Sequence, residues 1–150
     1  MEFQLLRTYK TILLISKTNG NRYSPIGRGI LTGEIRKPED IPEGDFRRNL
    51  PRFSQENFNH NLELVSELHK IAKQKGCTPA QLAISWTVQL SKKDGNPEII
   101  PIPGATKEER VVENAKVIEF SNDDLGEIDA ILKKFEVKGD RYPGKHLQEG

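Results

Sequence analysis

A helix-rich α/β fold follows from three features of this 150-residue sequence. Apolar residues recur at helical spacing through residues 54–91 and again through 106–135. Thr78, Thr106 and Ser121 each stand where a helix would open, with Gln or acidic residues just inside. One short apolar run, Glu98-Ile99-Ile100-Pro101-Ile102, reads as a buried strand.

Taken in order, residues 1–22 hold one β-prone run, Thr11-Ile12-Leu13-Leu14-Ile15, then Thr18-Asn19-Gly20-Asn21. Asn and Gly tolerate positive φ, so the second stretch reads as a turn. Residues 23–53 carry glycines at 27, 29, 33 and 44 and prolines at 25, 38, 42 and 51, without hydrophobic periodicity. That predicts a long loop. From Asn61 onward Leu62, Val65, Leu68 and Ala72, joined by Leu64 and Ile71, form one apolar helix face. Lys70, Lys73 and Lys75 suit the negative end of the helix dipole, and Gly76 suits its cap.

Thr78-Pro79-Ala80-Gln81 restarts a helix. Thr78 accepts from the third amide, Pro79 needs no N–H at the first position, and Gln81 returns a bond. Leu82, Ala83, Trp86 and Leu90 form its buried stripe. In the run 98–102 the prolines at 101 and 103 mark the strand end, because proline cannot donate to a ladder. With no second secure strand in the sequence, this one is expected to lack a neighbour. Thr106-Lys107-Glu108-Glu109 predicts a capping box and a helix to about Val117. Ser121-Asn122-Asp123-Asp124 opens another, with Leu125, Ile128, Ile131, Leu132 and Phe135 on one face. Residues 136–150 read as a polar tail.

Charge narrows the function. Lys and Arg number 23 against 22 Asp and Glu, a net charge of +1, so there is no global basic field for nucleic acid or a membrane surface. A DNA-reading helix–turn–helix around residues 76–86 is disfavoured too, because residues 80–90 contain no Lys or Arg. Hydrophobic residues make up 35%, enough for a folded core, and no run approaches the roughly 18 apolar residues of a membrane span. The single cysteine, Cys77, excludes an intrachain disulfide and fits a reducing, cytoplasmic setting.

Two glycine- and proline-rich turns carry the chemistry. In Tyr23-Ser24-Pro25-Ile26-Gly27-Arg28-Gly29, glycine spacing lets backbone amides approach an anion, Arg28 adds a charged donor and Tyr23 a flat ring for stacking. A turn beside a solvated arginine explains the same residues. In Ile100-Pro101-Ile102-Pro103-Gly104-Ala105-Thr106, a strand feeds a helix N-terminus, where unpaired amides and the dipole favour negative charge. Lys107 and Arg110 flank it and suit a phosphate monoester, while Glu113 and Asn114 lie one turn on, within reach of an adenine edge. Caps and solvated surface account for these residues equally well, and the residues alone leave both readings open.

Together the motifs Tyr-Ser-Pro-Ile-Gly-Arg-Gly, Thr-Pro-Ala-Gln-Leu-Ala and Ile-Pro-Ile-Pro-Gly, then Thr106, Arg110, Glu113 and Asn114, resemble the C-terminal half of the aldo-keto reductase superfamily. The loop 38–53, with Gly-Asp-Phe-Arg-Arg-Asn-Leu-Pro-Arg-Phe, is similar to fungal and plant members that include pyridoxal reductase-like enzymes. The resemblance covers about residues 23–142. It implies the C-terminal portion of a (β/α)8 TIM barrel, helix-rich and incomplete, in a family that reduces aldehydes and ketones with NADP(H). It implies a Tyr23 ring on the nicotinamide and Ser24, Ile26, Gly27 and Arg28 along the pyrophosphate. It also implies Gly104, Thr106 and Arg110 at the 2′-phosphate, with Glu113 and Asn114 at the adenine. Lys107 would be a neighbour of that phosphate.

The resemblance has a gap. The family's catalytic Asp, Tyr, Lys and His belong to its N-terminal half, and no residue here matches their context; Tyr9, Lys10, His60, His69, Tyr142 and His146 stand elsewhere. The expectation is therefore a truncated or mis-spliced chain, with 1–22 unrelated or poorly ordered, 23–142 a partial reductase domain and 143–150 a tail. Such a chain is expected to be inactive alone, acting on its small carbonyl substrate only within an intact enzyme. The competing reading is a non-catalytic helical interaction module that pairs with a complementary half-barrel. No catalytic residue and no metal ligand is assigned.

Overall fold

The computed structural model describes residues 20–93, 96 and 98–143, with backbone alone for residues 20–23. The described residues form strand β1 (Gly20–Tyr23), helices α1 (Gln55–Gln74) and α2 (Pro79–Leu90), strand β2 (Ile99–Ile102), and helices α3 (Glu108–Ala115) and α4 (Asn122–Lys134). The run 11–15 and residues 144–150 lie outside the described residues.

The helix starts at 78 and 121 follow their sequence signals. Thr78 Oγ1 accepts from the Gln81 amide at 3.2 Å while Gln81 Oε1 accepts from the Thr78 amide at 3.0 Å. Ser121 and Asp124 exchange the equivalent pair at 3.2 and 2.9 Å. At the end of α1 the Cys77 amide donates back to Ala72 O at 3.0 Å, closing the helix around Gly76.

Most of α2 is buried, beyond the stripe read from periodicity. Residues 80–87, 89 and 90 are all buried, and the helix contains no charged residue. Its polar side chains dock the chain beside it. Ser85 Oγ accepts from the Ile118 amide at 2.8 Å, and Gln89 Nε2 donates to Ile118 O at 2.8 Å. Gln89 Oε1 also accepts from the Phe120 amide at 3.3 Å. These bonds tie residues 118–120 to α2, and α3 stops at Ala115, with Lys116 extended, instead of running to Val117. The expected capping box at Thr106 is also absent. Lys107, in extended conformation, is the residue that precedes α3, and no side chain caps it.

One core gathers Leu64, Leu68 and Ile71 of α1, Leu82 and Trp86 of α2, Ile99, Phe120, and Ile128 and Leu132 of α4. A second, smaller core lies under the expected long loop. There Ile35, Ile41, Leu50 and Phe53 pack on Phe58 of α1. The segment 27–53 is accordingly a chain of four 3₁₀ turns. Local polar contacts fix them; Asp40, for example, accepts from the amides of Arg36 and Lys37 at 2.8 and 3.1 Å.

The sheet corrects two expectations. Residues 20–22, expected as turn, belong to β1, and β2 does have a neighbour. The strands pair in parallel, Gly20 beside Ile99, Asn21 beside Ile100, Arg22 beside Pro101 and Tyr23 beside Ile102. Polar side chains did not prevent this, because ladder bonds come from the backbone and a sheet face open to solvent accepts polar residues. Ser91 Oγ fixes β2 to the end of α2, accepting from the Ile99 amide at 2.7 Å and donating to Ile99 O at 3.1 Å. Ile99 is buried, whereas Ile100 and Ile102 on the opposite face are 52% and 46% exposed.

Residues 136–142 are no loose tail either. They return across α1 and the 3₁₀ segment as a strap. Asn61, buried in α1, mimics a backbone partner, since its Oδ1 accepts from the Lys138 amide at 2.9 Å. Its Nδ2 donates to Lys138 O at 3.0 Å and to Arg52 O at 3.1 Å.

Candidate functional site

Parallel pairing with Tyr23 opposite Ile102 sends both chemistry-bearing turns out of the same end of the two strands. Neighbouring strands lie about 4.8 Å apart, so the turns start side by side. The stacking expectation for the Tyr23 ring falls outside the described side chains.

The first turn is tightly wound. Gly27 N donates to Ser24 O at 2.9 Å, and Gly29 N to Ile26 O at 3.0 Å. Those two amides are therefore used inside the turn, and the glycines serve its winding rather than pointing donors outward. Ser24 and Arg28, neither of them glycine, sit at φ 57° and 59°. Such conformations cost about 1–2 kcal/mol each and persist only where surroundings enforce them. The enforcement is visible at Arg28. Its guanidinium lies over the Tyr142 ring at 4.8 Å and the Phe46 ring at 5.4 Å, and its carbonyl accepts from Arg47 Nη1 at 3.1 Å. Arg47 is in turn paired with Asp45 at 2.7 Å, which holds the Asp45 carboxyl below its usual range.

The second turn is lightly held. Gly104, Thr106 and Lys107 are exposed, and a Cβ added to Gly104 would meet nothing within 4 Å. Arg110, Glu113 and Asn114 are half-buried. Arg110 Nη1 donates to Glu113 Oε2 at 2.7 Å, and its Nη2 pairs with Glu34 from the first segment. Glu113 is held below the usual carboxylate range by the Thr78 hydroxyl first and by Arg110 after it. A phosphate at Arg110 would thus replace the exposed Glu34, a solvated pair of little worth. An adenine contact would share the Glu113 carboxylate with Thr78 and Arg110.

Other polar groups are accounted for structurally. His69 Nε2 bonds Leu31 O at 3.1 Å and His60 Nε2 bonds Glu136 O at 2.8 Å, so both rings join α1 to neighbouring segments. Burial pushes the Cys77 thiol up, away from an activated nucleophile. Among the described residues there is no cluster of three or more His, Cys, Asp or Glu fit for a metal, and no helix is long and apolar enough to cross a membrane. Sequence reading missed Glu34, Phe46, Arg52, Arg141 and Tyr142 at the turns. Phe46 and Arg52 did stand in the loop motif that resembles the family, and Tyr142 was noted, but none with a role at the turns.

Comparison with known proteins gives the family. A family model described as the aldo/keto reductase family matches residues 21–133, starting within β1. Aldo-keto reductase yakc from Schizosaccharomyces pombe, whose name carries NADP(+), is 44% identical over 123 residues, covering 81% of this chain and 35% of that protein. Aldo-keto reductase str7 from Strobilurus tenacellus is 36% identical over 121 residues, covering 79% and 34%. The chain spans about a third of the length of these curated relatives. With most of its length matched to one family model, and its motifs in order, the chain belongs to the aldo/keto reductase family.

Proposed function

We propose that this chain carries the NADP(H)-binding portion of an aldo-keto reductase, the C-terminal part of a (β/α)8 barrel. The carrying observation is the Tyr23–Ile102 register, which sets the two phosphate-suited turns next to each other at the C-terminal ends of parallel strands. Barrel enzymes place their ligands at that end. In this reading Tyr23 stacks on the nicotinamide and Ser24, Ile26, Gly27 and Arg28 follow the pyrophosphate. Gly104, Thr106 and Arg110 take the 2′-phosphate, and Glu113 and Asn114 border the adenine. NADPH supplies the hydride for a small aldehyde or ketone. This chain's residues bind and orient, and the groups that protonate the carbonyl oxygen come from outside it, in a cytoplasmic setting.

Titrating NADPH into the 150-residue chain and following nicotinamide fluorescence tests the reading. Saturable binding without aldehyde reduction is expected. Absence of binding would overturn the cofactor role, and robust turnover by the chain alone would overturn its dependence on other residues.

A second reading has its own observation. Parallel sheets are normally covered on both faces, yet Ile100 and Ile102 are open, with Val111 and Val112 of α3 56% and 67% exposed. That favours an interaction module that docks a complementary half-barrel. Size-exclusion chromatography with the N-terminal portion of a relative separates the two, because a module gives a stable complex whether or not nucleotide is present.

A further inference from the structure

Helix α3 meets the rest of the protein through a polar face. Arg110, Glu113 and Asn114, at i, i+3 and i+4, are its half-buried residues, while Val111 and Val112 are exposed. No residue of α3 is fully buried, so apolar packing does little to place it. The three side chains turned toward the body of the protein are those that the nucleotide reading assigns to the ligand.

Helix α2 supplies what packing does not. Gln81, Ser85 and Gln89 stand four residues apart, on one face, and all three are buried. Each bonds the chain that runs alongside. Gln81 Nε2 donates to Glu113 O at 3.3 Å, Ser85 Oγ accepts from the Ile118 amide at 2.8 Å, and Gln89 Nε2 donates to Ile118 O at 2.8 Å. Buried polar groups are costly unless bonded, so this stripe fixes where residues 113–120 lie. Gln81 is the member that reaches α3. Its Oε1 accepts from the Thr78 amide at 3.0 Å, which fixes the side-chain amide from both ends. The Thr78 hydroxyl and Arg110 act on the Glu113 carboxyl, Arg110 at 2.7 Å. The pair that Arg110 makes with Glu34 is exposed and of small worth.

We infer that Gln81 is a positioning residue for the adenine end of the nucleotide site: by holding the Glu113 carbonyl it sets where the Glu113 carboxylate stands, and through that which purine is accepted. This role rests on the nucleotide reading, in which Glu113 borders the adenine. An ionised carboxylate only accepts hydrogen bonds, so it favours a ring bearing an amino group over one bearing a carbonyl at the same place. That discrimination needs the carboxylate in a fixed position. Gln81 thereby ties ligand choice on the lightly held α3 to the buried α2.

The experiment follows nicotinamide fluorescence while NADPH, or its analogue with hypoxanthine in place of adenine, is titrated into the full chain and into Gln81→Glu. Glutamate keeps the acceptor for the Thr78 amide, since Glu and Gln both serve at that position of a capping box, but it has no donor for Glu113 O. The unaltered chain should prefer NADPH by roughly tenfold or more, the worth of a hydrogen bond to a charged group. Gln81→Glu should shrink that preference by about threefold or more, as loss of one neutral hydrogen bond would. The ratio is the readout, because a general loss of stability or the added negative charge weakens both nucleotides alike. If Gln81→Glu fails to fold, side-chain amide resonances of the isotope-labelled unaltered chain take its place. NADPH should shift the Gln81 Nε2 resonance and leave that of Gln89, which bonds beyond α3, where it was. Equal affinity of the unaltered chain for both nucleotides, an unchanged preference in Gln81→Glu, or a Gln81 resonance indifferent to bound NADPH would overturn the positioning role while the nucleotide reading stands. Failure of the unaltered chain to bind either nucleotide would overturn the nucleotide reading itself, and the role of Gln81 with it.

Discussion

The two turns leave adjacent strands at the same end of the sheet, yet they are held in opposite ways. The first, with the segment up to residue 53, has its own small core, two strained non-glycine residues, a pair of rings on its arginine and a strap across it. The second is almost bare. Its glycine has empty space around it, its helix buries no residue completely, and Arg110 is balanced between two carboxylates. On the proposed nucleotide reading, the contrast divides the work between the two turns. A turn built in advance loses little entropy on binding and can anchor, whereas a turn held by solvated ion pairs can exchange a carboxylate for a phosphate at small cost.

Substitutions sharpen this contrast, beginning with the largest effect. Gly33 sits at φ 76°, and a Cβ there would lie 2.1 Å from His69 Cε1, so Gly33→Ala should lower stability by roughly 2–5 kcal/mol in urea unfolding. Gly104→Ala, in the second turn, should leave the same transition unmoved. Next comes Asn61→Ala, which unties the strap and strands the Lys138 amide. A loss of about 1–3 kcal/mol is expected, with faster proteolysis after residue 136 as a separate readout. Smaller again is Ser121→Ala, at about 1 kcal/mol for a lost cap. The smallest is Glu34→Gln, which removes one exposed partner of Arg110. It should change stability by no more than about 0.5 kcal/mol while tightening binding of a 2′-phosphate nucleotide.

Acid should weaken the fold as well. Lys75 first, and then the Ser121 amide, hold the Asp124 carboxyl below its usual range, and Glu113 is lowered by Thr78 and Arg110. A depressed carboxylate stabilises the fold above its unfolded pKa and loses that contribution as pH falls through the lower folded value. Melting temperature should therefore hold down to about pH 5 and fall progressively as the pH drops through and below the ordinary carboxylate range. Asp124→Asn should flatten part of that drop.

How much of this was legible in the sequence depended on range. Caps at Thr78 and Ser121 and the apolar faces of α1 and α4 are local, so spacing alone located them. The Thr106 box matched the same pattern and failed, because an extended Lys107 displaced it by one residue. β1 was hidden for a different reason. Asn21 and Arg22 carry no strand propensity, and only pairing with β2, nearly eighty residues away, makes them a strand. The two turns stood out by their glycines, prolines and charged residues, the roles expected of their residues came from the family resemblance, and their adjacency followed from that pairing. The placement of Arg52, Arg141 and the two rings beside Arg28 was invisible, since long-range contacts through the strap have no local periodicity. Asn61 likewise read as an ordinary helix position until its backbone partner appeared.

The claim that both turns serve one dinucleotide is tested most directly by amide chemical shifts of the isotope-labelled chain during titration with NADP(+). Joint binding predicts shifts in residues 24–29 and 104–110 that follow a single saturation curve. Movement in one turn while the other stays still, or curves with different midpoints, would contradict it.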